Sequence, residues 1–263
     1  MPLTKNRIRT IRSLSQKKVR DELDLFVAEG LRLVRDAAES PFDIEEAFCT
    51  AEFETTAAGG HLLGILRARG VRCRQLSGAE LAQIADTVNA QGVIALVRKR
   101  NESAEGLIDR SPTPALIVAV DGISDPGNLG SIVRTCDWFG AGGILVGRGS
   151  VDLYNPKVVR ATMGGIFHLP VVTGIDLPLS AVRAKERGYT VYVTDPSADL
   201  LETDVRFRAR SLVVFGNEAR GVSDDLRRVA DARVAIRRYG AAESLNVGVA
   251  CGILLSAHRR CHA

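Results

Sequence analysis

In the second half of the chain, five short runs of apolar, mostly β-branched residues recur with helix-length segments between them, at 115–120, 143–146, 190–193, 212–215 and 234–236. Runs this continuous, without strict alternation, describe strands buried on both faces, and the helical stretches between them supply the cover. The pattern therefore predicts a parallel sheet sandwiched by helices. Between the first two runs, Leu129, Ile132, Val133, Cys136 and Phe139 fall at helical spacing on one stripe, which turns Ser131, Arg134 and Trp138 the other way. A last helix repeats the logic with Val247, Ala250, Cys251, Leu254 and Leu255.

The first part of the chain reads as a smaller α/β body. Residues 26–38 follow a helical pattern; 44–49, 72–76 and 92–97 read as strands, with helical segments around 62–69 and 79–85. The stretch 98–114 is charged, holds two prolines and loses apolar periodicity, as a linker would. The expected division is residues 1–100, a linker at 101–113, and a second domain at 114–263. There is no internal repeat and no low-complexity tract.

Composition excludes several classes. At 263 residues and 46% hydrophobic the chain has enough apolar content to fold, yet no apolar run nears the roughly 20 residues that cross a bilayer. The basic start has no hydrophobic segment beside it, so a cytoplasmic protein without a signal peptide is expected. Five scattered cysteines with no CxxC pair argue against disulfides and structural zinc, no metal site is expected, and none of the four histidines falls in a motif.

Charge is concentrated rather than spread. Before Asp21 stand Lys5, Arg7, Arg9, Arg12, Lys17, Lys18 and Arg20, with no acid. A local positive field of this kind suits a phosphate backbone, whose neutralisation releases counterions; a merely solubilising terminus is the alternative. Aromatic residues make up only 5%, which disfavours reading single strands by serial base stacking.

Three segments gather Gly, Asn, Glu and Ser after expected strands, where open α/β sheets hold ligands: 125–134, 215–221 and 236–247. None is a dinucleotide fingerprint or a phosphate loop. Singly each has a plain reading: Asp125-Pro-Gly as a turn, Gly216-Asn217 as a strand exit, Ser244 as an N-cap before Leu245. Together DPGNLGSIVRT, FGNEARG and ESLNV resemble the three signature motifs of the SpoU/TrmH family of RNA ribose 2'-O-methyltransferases, within the SPOUT superfamily. The basic start, FVAEG near residue 30 and QGVIALV from Gln91 are similar to the L30e-like substrate-binding domain that many members carry.

The resemblance implies a SPOUT-type, trefoil-knotted parallel-sheet methyltransferase domain preceded by a small L30e-like α/β domain, a homodimer through the C-terminal domain, and S-adenosylmethionine as cofactor. It implies cofactor contacts at Thr194, Gly216, Asn217, Ile236 and Leu245, and catalytic roles for Arg134, Asn128, Glu218, Ser244 and Asn246. Arg134 matches the arginine proposed to activate the ribose hydroxyl. A guanidinium is almost never neutral, so stabilising developing alkoxide charge and holding a phosphate is the physically easier role. Glu218 would orient Arg134 or a loop amide. Asn155-Pro156 reads as a helix start, and Arg160 behind it would join the basic residues of the start in gripping RNA. Trp138 is expected at the dimer contact. One departure stands out: Arg237-Arg238 follow Ile236 where the family commonly has Pro-Met. The implied substrate is RNA, ribosomal before transfer RNA; a tRNA 2'-O-methyltransferase, a non-catalytic ribosome-assembly factor and a small-molecule methyltransferase are the competing readings.

Overall fold

The computed structural model describes residues 3–87, 91–111 and 113–262. Residues 1 and 263, the outer limits of the expected domains, and Pro112 of the expected linker lie outside the described residues. Two compact units emerge: one of Met1–Arg100 with Tyr154–His168, the other of Asn101–Leu153 with Leu169–Ala263.

In the first unit, helices α1 (Lys5–Ser13) and α2 (Lys17–Leu23) lead into β1 (Leu25–Glu29) and α3 (Leu31–Glu39), then β2 (Ile44–Thr50), α4 (Ala51–Thr55), α5 (Ala57–Ala68), β3 (Arg72–Leu76), α6 (Gly78–Ile84) and β4 (Val93–Arg98). The sheet is mixed, in the order β1-β4-β2-β3, with β2 and β3 parallel and the other pairs antiparallel. The helical reading of 26–38 is corrected here. Its first residues pair with β4 as a strand, and the helix starts only after Gly30, whose φ of 95° breaks the backbone direction at little cost to glycine. The basic start is no loose arm either: Leu3, Ile11 and Leu14 are buried in the same core as Phe48 and Leu96.

The second unit opens with α7 (Ala104–Arg110), inside the stretch expected to be an irregular linker. Ala104, Leu107 and Ile108 share one helical face and enter that unit's core. There follow β5 (Ala115–Asp121), α8 (Pro126–Trp138) and β6 (Gly143–Gly147). The chain then passes through α9 (Pro156–Ala161), which sits in the first unit, and returns with β7 (Val171–Ile175), α10 (Leu177–Glu186), β8 (Thr190–Thr194), β9 (Arg210–Gly216), α11 (Asp224–Val229), β10 (Ala232–Val234) and α12 (Val247–Arg260). All five strand pairings are parallel, in the order β10-β8-β9-β5-β6-β7. The first strand, β5, is central: the chain winds outward through β6 and β7, then crosses to build β8, β9 and β10 on the other side. The strand order therefore reverses between β5 and β9, which leaves a crevice at their carboxyl ends.

Candidate active site

The loops that leave β5 and β9 are stitched together across the reversal point. Asn217 donates its side-chain amide to the Gly122 carbonyl at 2.7 Å, and Asp121 accepts the Ser223 backbone N–H at 2.8 Å. Asn217 also folds its own loop: its side-chain oxygen accepts from the N–H groups of Ala219 and Arg220, and its backbone pairs with Gly221 in both directions. The turn demands glycine at 216, since a Cβ there would lie 2.2 Å from the backbone of Gly221 and Val222.

On this frame the three segments meet. Helix α8 begins with Asp125 as N-cap and Pro126 in its first turn; the Asp125 carboxylate accepts the Asn128 N–H at 2.8 Å, fixing the first turn. Asn128 then donates its Nδ2 to Glu218 Oε1 at 2.7 Å and accepts on Oδ1 from Asn246 Nδ2 at 2.8 Å. Asn246 is the N-cap of α12, its Oδ1 receiving the N–H groups of Gly248 and Val249. The cap is thus Asn246 and not Ser244, which corrects the plain reading of that serine. Helices α8 and α12 pack closely where Gly248 faces Ser131; a Cβ on Gly248 would stand 3.2 Å from that side chain.

Of the five catalytic candidates, Asn128, Glu218 and Asn246 form one hydrogen-bonded group, while Arg134 and Ser244 stand outside it, both exposed. Glu218 meets Asn128 rather than Arg134. Among the described residues the Arg134 side chain has no hydrogen-bond or ion-pair partner, so its five N–H donors face solvent.

Three of the five cofactor candidates lie at the same edge of the sheet. Thr194 ends β8, Gly216 ends β9, and Ile236 follows β10; the parallel registers Thr194–Val234 and Gly216–Asp121 set these ends side by side. Thr194 and Ile236 are half-buried, and Leu245 is 50% exposed. The backbone groups of Ile236 and Leu245 are bonded to nothing among the described residues, so main-chain donors and acceptors stand unspent beside apolar side chains. That donor set fits adenine, which needs polar partners on its edge and apolar ones on its faces. Asn217 is different, its polar atoms being consumed by the loop. Arg237 and Arg238, with Tyr239 at 91% exposed, point away from the fold. Among the described residues no group of three or more His, Cys, Asp or Glu could hold a metal ion.

The basic residues divide into two sets. Arg7 is held by Glu45 at 3.2 Å and Glu46 at 2.9 Å, Lys17 by Asp21 at 2.8 Å, Lys18 by Glu22 at 3.8 Å, and Arg160 by Asp86. Arg20 is buried and donates to the Leu14 and Ser15 carbonyls. Lys5, Arg9 and Arg12 are exposed with no ion-pair partner among the described residues. The partners of Lys17 and Lys18 lie four residues on along one helix, but those of Arg7 and Arg160 escape sequence reasoning, because the acids at 45, 46 and 86 are distant along the chain.

Residues 115–256 match the SpoU rRNA Methylase family, and residues 5–95 match an MRM3-like substrate binding domain. The chain is 30% identical to RlmP of Bacillus subtilis, named as a 23S rRNA (guanosine(2553)-2'-O)-methyltransferase, over 95% of this chain and 94% of that one. Among solved structures, an AdoMet-bound rRNA methyltransferase from Sinorhizobium meliloti superposes with a TM-score of 0.86 at 31% identity, covering 99% of this chain and 96% of the other. The SpoU methyltransferase AviRb of Streptomyces viridochromogenes, in complex with AdoMet, gives 0.85 at 28% identity over 98% of each chain. Fold and site thus define a class: a SPOUT-type α/β methyltransferase unit with a substrate-binding domain before it. The chain belongs to the SpoU rRNA methylase family.

Proposed function

We propose that this protein transfers a methyl group from S-adenosylmethionine to a ribose 2'-hydroxyl in structured RNA, with ribosomal RNA as the substrate. The observation that carries the reading is the Asn128–Glu218–Asn246 group, which draws all three segments to the β5/β9 reversal point. The bound cofactor supplies an electrophilic methyl on a sulfonium, a donor that needs no metal. Ile236 and Leu245 hold its adenine by their main-chain groups, with Thr194 at the neighbouring strand end. Asn246 sets where α12 begins and so fixes the loop that Ser244 and Leu245 occupy.

Arg134 approaches the substrate as a permanent cation. It holds a phosphate next to the target ribose and stabilises negative charge on the 2'-oxygen as that oxygen bonds to the methyl carbon, the carbon–sulfur bond breaks and the hydroxyl proton passes to solvent water. Alignment of the two reactants supplies much of the remaining acceleration. Lys5, Arg9 and Arg12 grip RNA, with the N-terminal unit as the substrate-binding domain. The exposed Trp138 of α8, at 84%, and Val249 of α12, at 52%, make the face through which two copies pair. A cytoplasmic setting agrees with five free thiols.

Arg134→Ala tests the reading. Methyl incorporation into ribosomal RNA should fall by about a hundredfold or more, while calorimetry with S-adenosylmethionine shows affinity nearly kept. A variant that still methylates at the parent rate removes Arg134 from the mechanism.

A further inference from the structure

A cavity of about 230 Å³ opens in the N-terminal unit between α1, β1, the end of α6 and α9. Its walls include Ile11, Val27 and Ile84, and its rim carries Arg12, Ser15 and Arg160. Two carboxylates also face it, and both are engaged. Glu29 accepts the backbone N–H groups of Asp86 at 2.8 Å and Thr87 at 3.3 Å, together with the Thr87 hydroxyl, and Asp86 pairs with Arg160. Arg12 is the contrast: exposed, without an ion-pair partner among the described residues, and the last of three such cations. Lys5, Arg9 and Arg12 lie at i, i+4 and i+7, so they line one face of α1 over roughly 10 Å.

We infer that this cavity is a subsite for one unstacked nucleotide of the RNA substrate, an inference that rests on the reading of the chain as an RNA methyltransferase. A nucleobase is flat and needs apolar contact on its faces, which Ile11, Val27 and Ile84 provide from three different elements. Its phosphate needs a cation with donors to spare, which Arg12 provides at the rim, and Arg160 adds the N–H groups left over from Asp86. The row from Lys5 to Arg12 then tracks the adjoining backbone toward the cavity mouth. A base turned out of its stack rests against a guanidinium plane and apolar contacts, which Arg12 and the three aliphatic side chains supply here. An acidic peptide would use the cations and leave the walls bare.

The test uses the full chain and a fluorescein-labelled single-stranded RNA 10-mer of mixed A and U containing 4-thiouridine. Ser15→Trp fills the cavity without removing a charge, and Arg12→Gln removes the rim cation; unchanged melting temperature certifies each fold. Each variant should bind the 10-mer about tenfold more weakly, and the parent's photo-crosslinks should map to residues 11–29 or 84–86 and vanish in Ser15→Trp. Binding equal to the parent in both variants overturns the subsite, as does crosslinking confined to other segments or equal competition by polyglutamate. Calorimetry with S-adenosylmethionine runs alongside: a parent that takes up no cofactor defeats the methyltransferase reading, while the crosslink map still judges the cavity.

Discussion

Asn128 uses both ends of one amide, giving a hydrogen to Glu218 and taking one from Asn246. Among side chains of its size only the amide donates and accepts from two separate atoms. Asn128→Asp keeps the shape but cannot donate, and it sets a second carboxylate against Glu218. Methyl transfer should fall by about a hundredfold while melting changes little, because the site is exposed. Adding Glu218→Gln restores a donor from the opposite side, so activity should partly return in the double variant; absence of rescue in a methyl-incorporation assay would show that the pair does not position the site. At this scale the sequence named the members of the cluster but not their bonds. Ninety residues separate Asn128 from Glu218, and nothing local distinguishes a glutamate that meets Asn128 from one that meets Arg134. Nor does the sequence reveal that Asn217 spends its amide on the loop.

Among the elements, strands with continuous apolar runs were legible because burial on both faces leaves an unmistakable pattern. The ones that escaped have specific causes. In β7, Val-Val gives way to Thr-Gly at the sheet margin, and β1 runs straight into α3, so that one helical pattern covers both. Charges and prolines around α7 mask the i, i+3, i+4 spacing of Ala104, Leu107 and Ile108. Helix α12 holds a further feature. His258 is fully buried, packed against Phe207 and His262, and both ring nitrogens lack hydrogen-bond partners among the described residues. Burial, reinforced by His262 and Arg259, lowers its pKa to about 4 from 6.5. The folded state therefore holds fewer protons than the unfolded chain between those values, so stability present above pH 6.5 is lost as pH falls toward 4. The loss approaches about 3 kcal/mol at the lower limit. His258→Leu should flatten that dependence in urea titrations between pH 7 and 4.5, and a variant with the parent's slope would refute it.

Over the whole molecule, a formal charge of +4 understates how unevenly cations are made available. Replacing Lys5, Arg9 and Arg12 together by Gln should lower the slope of log affinity for RNA against log salt by about 2. Arg7→Gln should leave that slope unchanged and lower the melting temperature instead, since its guanidinium clamps Glu45 and Glu46. The charged, proline-bearing stretch 98–114 is what suggests two bodies in the sequence; the passage of α9 into the first unit leaves no such mark, because contact and not composition decides it. The bond between Asn128 and Asn246 spans 118 positions. At roughly 5 to 20 residues per second of synthesis, the first half of this candidate site waits some 6 to 24 s for its counterpart to be made. A half-translated chain therefore lacks the Asn128–Asn246 bond, and the three segments are joined only once α12 has been made.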